Sequence, residues 1–244
     1  MPDRLSPLDA SFLFAEDRTR AMHVCGVMTF APADGPEFDM DAFAALIGRR
    51  LALVPRYRQK VREVPGHLGL PVWVDDPDFD LDYHVRRSAL PRPGTEEQLR
   101  ALVGRLIARR LDRARPLWEI YLVEGLAEGR VGIVTKTHHA MVDGLASMDV
   151  GALLLDSTPE PRETAADEWR PAPEPSALGL AADAASSSPD GSLAGFHSSP
   201  GVSRGSGARS SSTAPMSIDA SPSTIAWWVL VTTANRPSAS PSTM

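Results

Sequence analysis

Apolar positions along the first 156 residues fall into two rhythms, one of period two and one close to 3.6. His23–Ala31, "HVCGVMTFA", is an apolar run with β-branched residues and an aromatic, and it predicts a strand. Asp39–Val54 predicts a helix: Phe43, Leu46, Ile47, Leu51 and Val54 recur at helical spacing, Asp39 or Asp41 serves as N-cap, and Pro55 stops it. Pro71–Arg87 predicts a short strand, an acidic turn and a second short extended run. Gly94–Asp112 predicts a strong helix, with Thr95 as cap, Glu96 and Glu97 in the first turn and arginines in the last. Its apolar stripe is Leu99, Leu102, Val103, Leu106 and Leu111. Leu117–Leu126 and Arg130–His139 predict two strands joined by a turn at Glu128-Gly129, and the second runs straight into the pair His138-His139. Gly144–Asp156 predicts a further helix.

Composition then divides the chain. Residues 1–156 read as one globular domain, residues 157–185 as a linker rich in proline and charge, and residues 186–244 as a Ser/Pro/Gly/Ala tail. Such a tail buries too little apolar surface to offset its ordering entropy, so it predicts disorder. A formal net charge of −6 argues against a nucleic-acid binder that works by neutralising phosphates. The lone Cys25 excludes an intrachain disulfide scaffold and, set in an apolar strand, predicts a buried and inert thiol. The opening "MPDRLSPLDASFLF" is too polar for a signal peptide, and "IAWWVLV" falls far short of the ~20 residues of a spanning helix. The expectation is an intracellular, cytoplasmic protein whose contact with a membrane is peripheral.

"THHAMVDGLAS", Thr137–Ser147, concentrates the candidate chemistry. On a strand His138 and His139 point to opposite faces, so one can face a cleft while the other packs inward. That geometry weakens a metal site, since two ligands on one strand should be two positions apart. Asp143 as a third ligand is joined by no cysteine or carboxylate cluster, and no metal is expected. A histidine at a strand end can instead act as a general base near neutral pH. Asp143 then caps the following helix or fixes the backbone, and Gly144 permits a tight turn. A buried histidine pair beside a capped turn accounts for the same residues.

"HHAMVDG", His138–Gly144, resembles the HHxxxDG motif of the CoA-dependent acyltransferase superfamily, which includes chloramphenicol acetyltransferase and the condensation domains of peptide synthetases. Three further markers resemble the bacterial wax ester synthase/diacylglycerol acyltransferases: "LSPLDASFLF" (Leu5–Phe14), "AMHVCGVMTF" (Ala21–Phe30), and "RPLWEIYLVEGL" (Arg115–Leu126) with its Pro116-Leu117-Trp118. The resemblance covers roughly residues 3–185. It implies an α/β (α+β) chloramphenicol-acetyltransferase-like domain, a mixed sheet flanked by helices, forming the N-terminal domain of a two-domain fold. It further implies transfer of a long-chain acyl group from acyl-CoA to diacylglycerol, making triacylglycerol, or to a long-chain alcohol, making wax ester. Acyl-CoA is then a substrate and no cofactor is needed. By resemblance His139 is the general base, His138 supports it, Asp143 orients the turn and Gly144 keeps the channel open. Leu117 and Trp118 pack under the motif or line the acyl channel. A membrane or lipid-inclusion surface is the implied place of work.

Proteins of that family are about twice this length, and their later Asn, Val, Pro and Gly motif is not recognisable here. The serine-rich tail reads as a frameshifted or truncated translation, against the alternative of a genuine disordered end. Two other functions stay open: a condensation-type domain using carrier-bound acyl groups, and an inert fragment that binds lipid or a partner chain. Arg105, Arg109, Arg110, Arg113 and Arg115 form a basic cluster suited to lipid headgroups or CoA phosphates, or a solvated helix end. "DDPDFDLDYH", Asp75–His84, lacks calcium-loop spacing and reads as a solvated turn. His23, His67, His84 and His197 have no partner that singles them out. Trp227–Val231 reads as an incidental apolar run with an aggregation liability.

Overall fold

A computed structural model describes residues 3–31, 38–141, 169–186 and 224–227. Five strands make one mixed sheet: β2 (His23–Phe30), β5 (Val85–Ala89), β6 (Trp118–Glu124), β7 (Val131–His138) and β8 (Thr224–Trp227), in the spatial order β5-β6-β7-β2-β8. All neighbours are antiparallel except β5 and β6. The parallel pair is bridged by helix α4 (Glu96–Ala108), as a parallel connection requires a long crossover. A smaller antiparallel sheet joins β1 (Asp3–Arg4), β4 (Val72–Asp75) and β3 (Gln59–Arg62) in the order β1-β4-β3. Helices α1 (Pro7–Ala15), α2 (Met40–Arg50), α3 (Leu81–His84) and α5 (Ala177–Ser186) complete the described elements.

Alternation along the strands sorts the core into two layers. Met28, Trp118, Ile120, Leu122 and Ile133 face one way, into a cluster with Ala10 and Leu13 of α1, Ile47 of α2 and Tyr57. Cys25, Tyr121, Val123 and Val134 face the other way, against Leu99, Leu102, Leu106 and Ile107 of α4. The predicted helices are shorter than their apolar patterns. α2 stops at Arg50 and tightens into a 3-10 turn over Leu51–Leu53, because Pro55 bars its preceding residue from the helical region. α4 carries a reciprocal Thr95/Gln98 cap but ends at Ala108, so Arg109, Arg110 and Leu111 lie in the loop beyond it. The turn between β6 and β7 falls where expected, with both Glu128 and Gly129 at positive φ.

Two features depart from the composition. β8 lies within the tail whose makeup predicts disorder, and it pairs through its backbone with Val27–Phe30. In the linker, Ala172 donates to Asp75, Glu174 pairs with Arg62 at 3.4 Å, and α5 docks Leu180 and Ala184 on Val72 and Val74, held by Arg4–Asp183 at 2.7 Å. The helix predicted over Gly144–Asp156 lies outside the described residues, as do Asp143 and Gly144. No helix among the described residues is long and apolar enough to cross a membrane.

Candidate active site

The period-two rule that separates the core layers also gathers polar groups. His138 and Lys136 of β7, Glu119 and Tyr121 of β6, and His23 and Cys25 of β2 share the α4 side of the sheet. His23 sits opposite His138 in the ladder, and their rings meet edge-on at 5.8 Å. Glu16, just past α1, reaches this pair: its Oε1 lies 3.2 Å from His23 Nε2 and 3.8 Å from His138 Nε2. The Leu111 amide also approaches His23 Nε2, at 3.5 Å. The shorter contact with the carboxylate places the ring proton toward Glu16. Arg113 donates to Glu16 Oε2 through Nε at 3.3 Å and Nη2 at 3.0 Å. Burial pushes the Glu16 carboxyl up, but the bonds from His23 and Arg113 outweigh it and hold the pKa down at about 2.

The two histidines of the motif divide as the alternation predicts. His138 is the last residue of β7 and 1% exposed. Its Nδ1 accepts from the Ala140 amide at 3.0 Å, while its Nε2 has no hydrogen-bond partner among the described residues. Burial lowers its pKa to about 4. His139 leaves the strand for a 3-10 turn, His139–Met141, and is half-buried. Its amide donates to Met22 at 2.9 Å and its ring stacks on Phe12 at 4.7 Å. Neither of its ring nitrogens has a hydrogen-bond partner among the described residues. Burial, then the nearby His23, shifts its pKa below the ordinary histidine value. The two rings differ in engagement: the Nδ1 of His138 is taken by the Ala140 amide, while both ring nitrogens of His139 are clear of hydrogen-bond partners among the described residues.

Leu117 and Trp118 are wholly buried; Trp118 Nε1 donates to Tyr57 at 2.7 Å and its ring stacks on His84 at 4.5 Å. His84 and His23 do have defining partners, contrary to the sequence reading: His84 Nδ1 lies 2.7 Å from the Trp118 carbonyl. The basic cluster divides rather than forming one patch. Arg113 pairs with Glu16, Arg115 covers Tyr83 at 4.1 Å, and Arg105 is exposed on α4. Arg109 and Arg110 line a cleft of about 630 Å³ with Arg86, Arg113, Glu16 and Glu119, and His139 is not among its walls. The acidic turn is only partly solvated: Asp76 is 2% exposed and pairs with Lys60 at 3.0 Å. Among the described residues no group of three His, Cys, Asp or Glu could hold a metal ion.

Of the site residues, the sequence reading missed Glu16, set His23 aside as lacking a partner, and placed Arg113 only in a basic cluster. Each lies within or beside a quoted marker. The β2–β7 register sets His23 opposite His138, and the segments that follow α1 and α4 carry Glu16 and Arg113 to them.

Comparison with known proteins gives a consistent set of likenesses. The family model of the wax ester synthase/diacylglycerol acyltransferase catalytic domain matches residues 5–238, so the likeness extends past residue 185, where recognisable motifs end. Over 175 residues the chain is 45% identical to a Mycobacterium tuberculosis protein named probable diacylglycerol O-acyltransferase tgs3, covering 72% of this chain and 64% of that one. It is 48% identical over 156 residues to a second from the same organism, named tgs1, covering 64% and 34%. The solved wax ester synthase/diacylglycerol acyltransferase of Marinobacter aquaeolei VT8 superposes with a TM-score of 0.54 at 34% identity, over 66% of this chain and 40% of that one. The chain therefore spans only part of the length of the relatives it matches. The mixed α/β fold agrees with the one implied by the motifs.

Proposed function

The chain belongs to the wax ester synthase/diacylglycerol acyltransferase family, and from that premise we propose that it transfers a long-chain acyl group from acyl-CoA to diacylglycerol, and to long-chain alcohols as a second acceptor. The observation that carries this reading is the contrast within the motif. The Nδ1 of His138 is taken by the Ala140 amide, while the ring nitrogens of His139, on a short turn, meet no hydrogen-bond partner among the described residues.

An alcohol ionises far above pH 7, so its proton must leave as its oxygen attacks. His139 accepts that proton while the oxygen bonds to the thioester carbonyl carbon. The carbon–sulfur bond then breaks, and the leaving thiolate takes the proton back from the imidazolium. The ester and free CoA leave, and the histidine is neutral again. Holding both substrates beside one base converts the encounter into an intramolecular step. The family motif assigns Asp143 to orienting the turn and Gly144 to keeping the channel open, both outside the described residues, and Leu117 and Trp118 are the buried pair beneath it. The substrates themselves place the enzyme in the cytoplasm, in peripheral contact with a membrane or lipid-inclusion surface.

The contrary reading is a chain that binds lipid or a partner chain without turnover. Radiolabelled acyl-CoA, supplied to the full chain with diacylglycerol or a long-chain alcohol, separates the two. Labelled triacylglycerol that falls by about 10²-fold or more in His139→Ala supports the enzyme. Absence of turnover in the unaltered chain supports the contrary reading.

A further inference from the structure

Resting on the assignment of His139 as base, we propose that Glu16 is a positioning residue for acyl transfer: its carboxylate fixes the Nε2–H tautomer of His138, and His138 in turn holds the turn that carries His139.

The argument starts at Ala140. Its amide donates to His138 Nδ1 at 3.0 Å, which requires Nδ1 to be unprotonated. The neutral ring then carries its proton on Nε2. That atom is buried without a hydrogen-bond partner among the described residues and faces Glu16 Oε1 at 3.8 Å. The negative potential of the carboxylate favours a proton on the near nitrogen and disfavours it on the far one. If the proton moved to Nδ1, two N–H groups would face each other at Ala140 and the His139–Met141 turn would lose its tie to the strand end.

Glu16 is itself held from three sides. Arg113 takes Oε2 with two N–H groups, and His23 and the Met22 amide take Oε1 at 3.2 and 3.4 Å. Met22 links the two halves directly, because its carbonyl accepts the His139 amide at 2.9 Å. A carboxylate fixed this firmly acts as a rigid reference for the imidazole next to it. The partners of Glu16 among the described residues are Met22, His23, Arg113 and His138, so its influence on His139 is assigned to His138 and Met22.

Substitution by glutamine makes the proposal falsifiable. Arg113 presents two donors and demands the amide oxygen of Gln, so the NH₂ group must turn toward the histidines. It then offers His138 Nε2 a donor where it had an acceptor, which favours Nδ1–H and opposes the Ala140 bond.

The experiment is ¹⁵N NMR of the imidazoles in the full chain, with His138→Ala to assign the signals, alongside exchange of the Ala140 amide and steady-state acyl transfer. The unaltered protein is expected to show a pyridine-type Nδ1 and a pyrrole-type Nε2 at His138. Glu16→Gln should reverse that pattern, expose the Ala140 amide to exchange, and lower kcat by about 10²-fold with KM unchanged. Glu16→Asp keeps the charge on Arg113 but draws the carboxylate back, and should give intermediate exchange and an intermediate kcat. It also serves if the glutamine variant does not fold. A pyrrole-type Nδ1 in the unaltered protein overturns the proposal. So does a tautomer and an Ala140 exchange rate unmoved in both variants. If acyl transfer is absent throughout but the tautomer still reverses, the Glu16–His138 coupling stands and the assignment of His139 as base falls.

Discussion

At the scale of the residue, two adjacent histidines have opposite fates because one ends a strand and the other begins a turn. Period-two alternation made that division readable from the sequence, and the marker stretches Leu5–Phe14 and Arg115–Leu126 stop two residues short of Glu16 and Arg113. What could not be read was the network itself, because His23 meets His138 only through strand pairing across the length of the domain. The electrostatics lead to a test. Burial shifts His139 below its ordinary 6.5, and a general base works only when unprotonated. The free-enzyme base therefore stays neutral to lower pH than an exposed histidine would. The acid limb of kcat/KM should fall with a midpoint below pH 6.5, and a midpoint at or above it would argue against His139 as the group titrating.

At the scale of the element, helix α4 was the most legible piece, because its cap, first-turn acids and apolar stripe all agree. β1 and α1 were not: a two-residue strand carries no period, and α1 is apolar on several sides, with Leu8 and Phe14 exposed. The connection from β5 into α4 was opaque for a different reason. It depends on Gly94, at φ +74, whose missing Cβ would stand 1.9 Å from the Gly125 carbonyl oxygen. The two loops are tied there by the Ala127 amide donating to the Gly94 carbonyl at 2.9 Å. No rotamer relieves a clash between backbones. Gly94→Ala should destabilise the fold by upwards of about 2 kcal/mol, read as a lower urea midpoint. Gly104→Ala is the control, since a Cβ there meets nothing within 4 Å. On an interior helix position it should be neutral or slightly stabilising. Equal midpoints for the Gly94 variant and the unaltered chain would show that the loops separate readily.

At the scale of the whole molecule, the buried polar layer makes stability depend on acid. His138 has a folded pKa of about 4 against an ordinary 6.5, so the unfolded chain binds the proton first. The stability tied to its neutral form is full above pH 6.5 and is lost as pH falls through about 4. The amount is on the order of 3 kcal/mol. Glu16, at about 2 against an ordinary 4.5, keeps its contribution down to about pH 4.5 and loses it toward pH 2. Urea midpoints should therefore decline in two overlapping steps below pH 6.5, and the upper step should shrink in a His138→Asn variant, leaving the part owed to His84 and His139, whose pKa values burial also lowers. A midpoint constant from pH 7 to 4.5 would contradict this. Composition anticipated none of it, because net charge is blind to which few ionisable groups a sheet encloses.

The long reach between β2 and β7 has a consequence for biosynthesis. β2 leaves the ribosome without the strand that will cover its inner edge, and the residue that pairs with Gly26 follows 109 positions later. At about 5–20 residues per second the wait is roughly 5–20 s. Throughout it, "HVCGVMTF" is an uncovered, uncharged strand on a nascent chain. Such an edge can pair with other chains until β7 arrives, so soluble yield is expected to rise when a chaperone that binds extended segments is co-expressed.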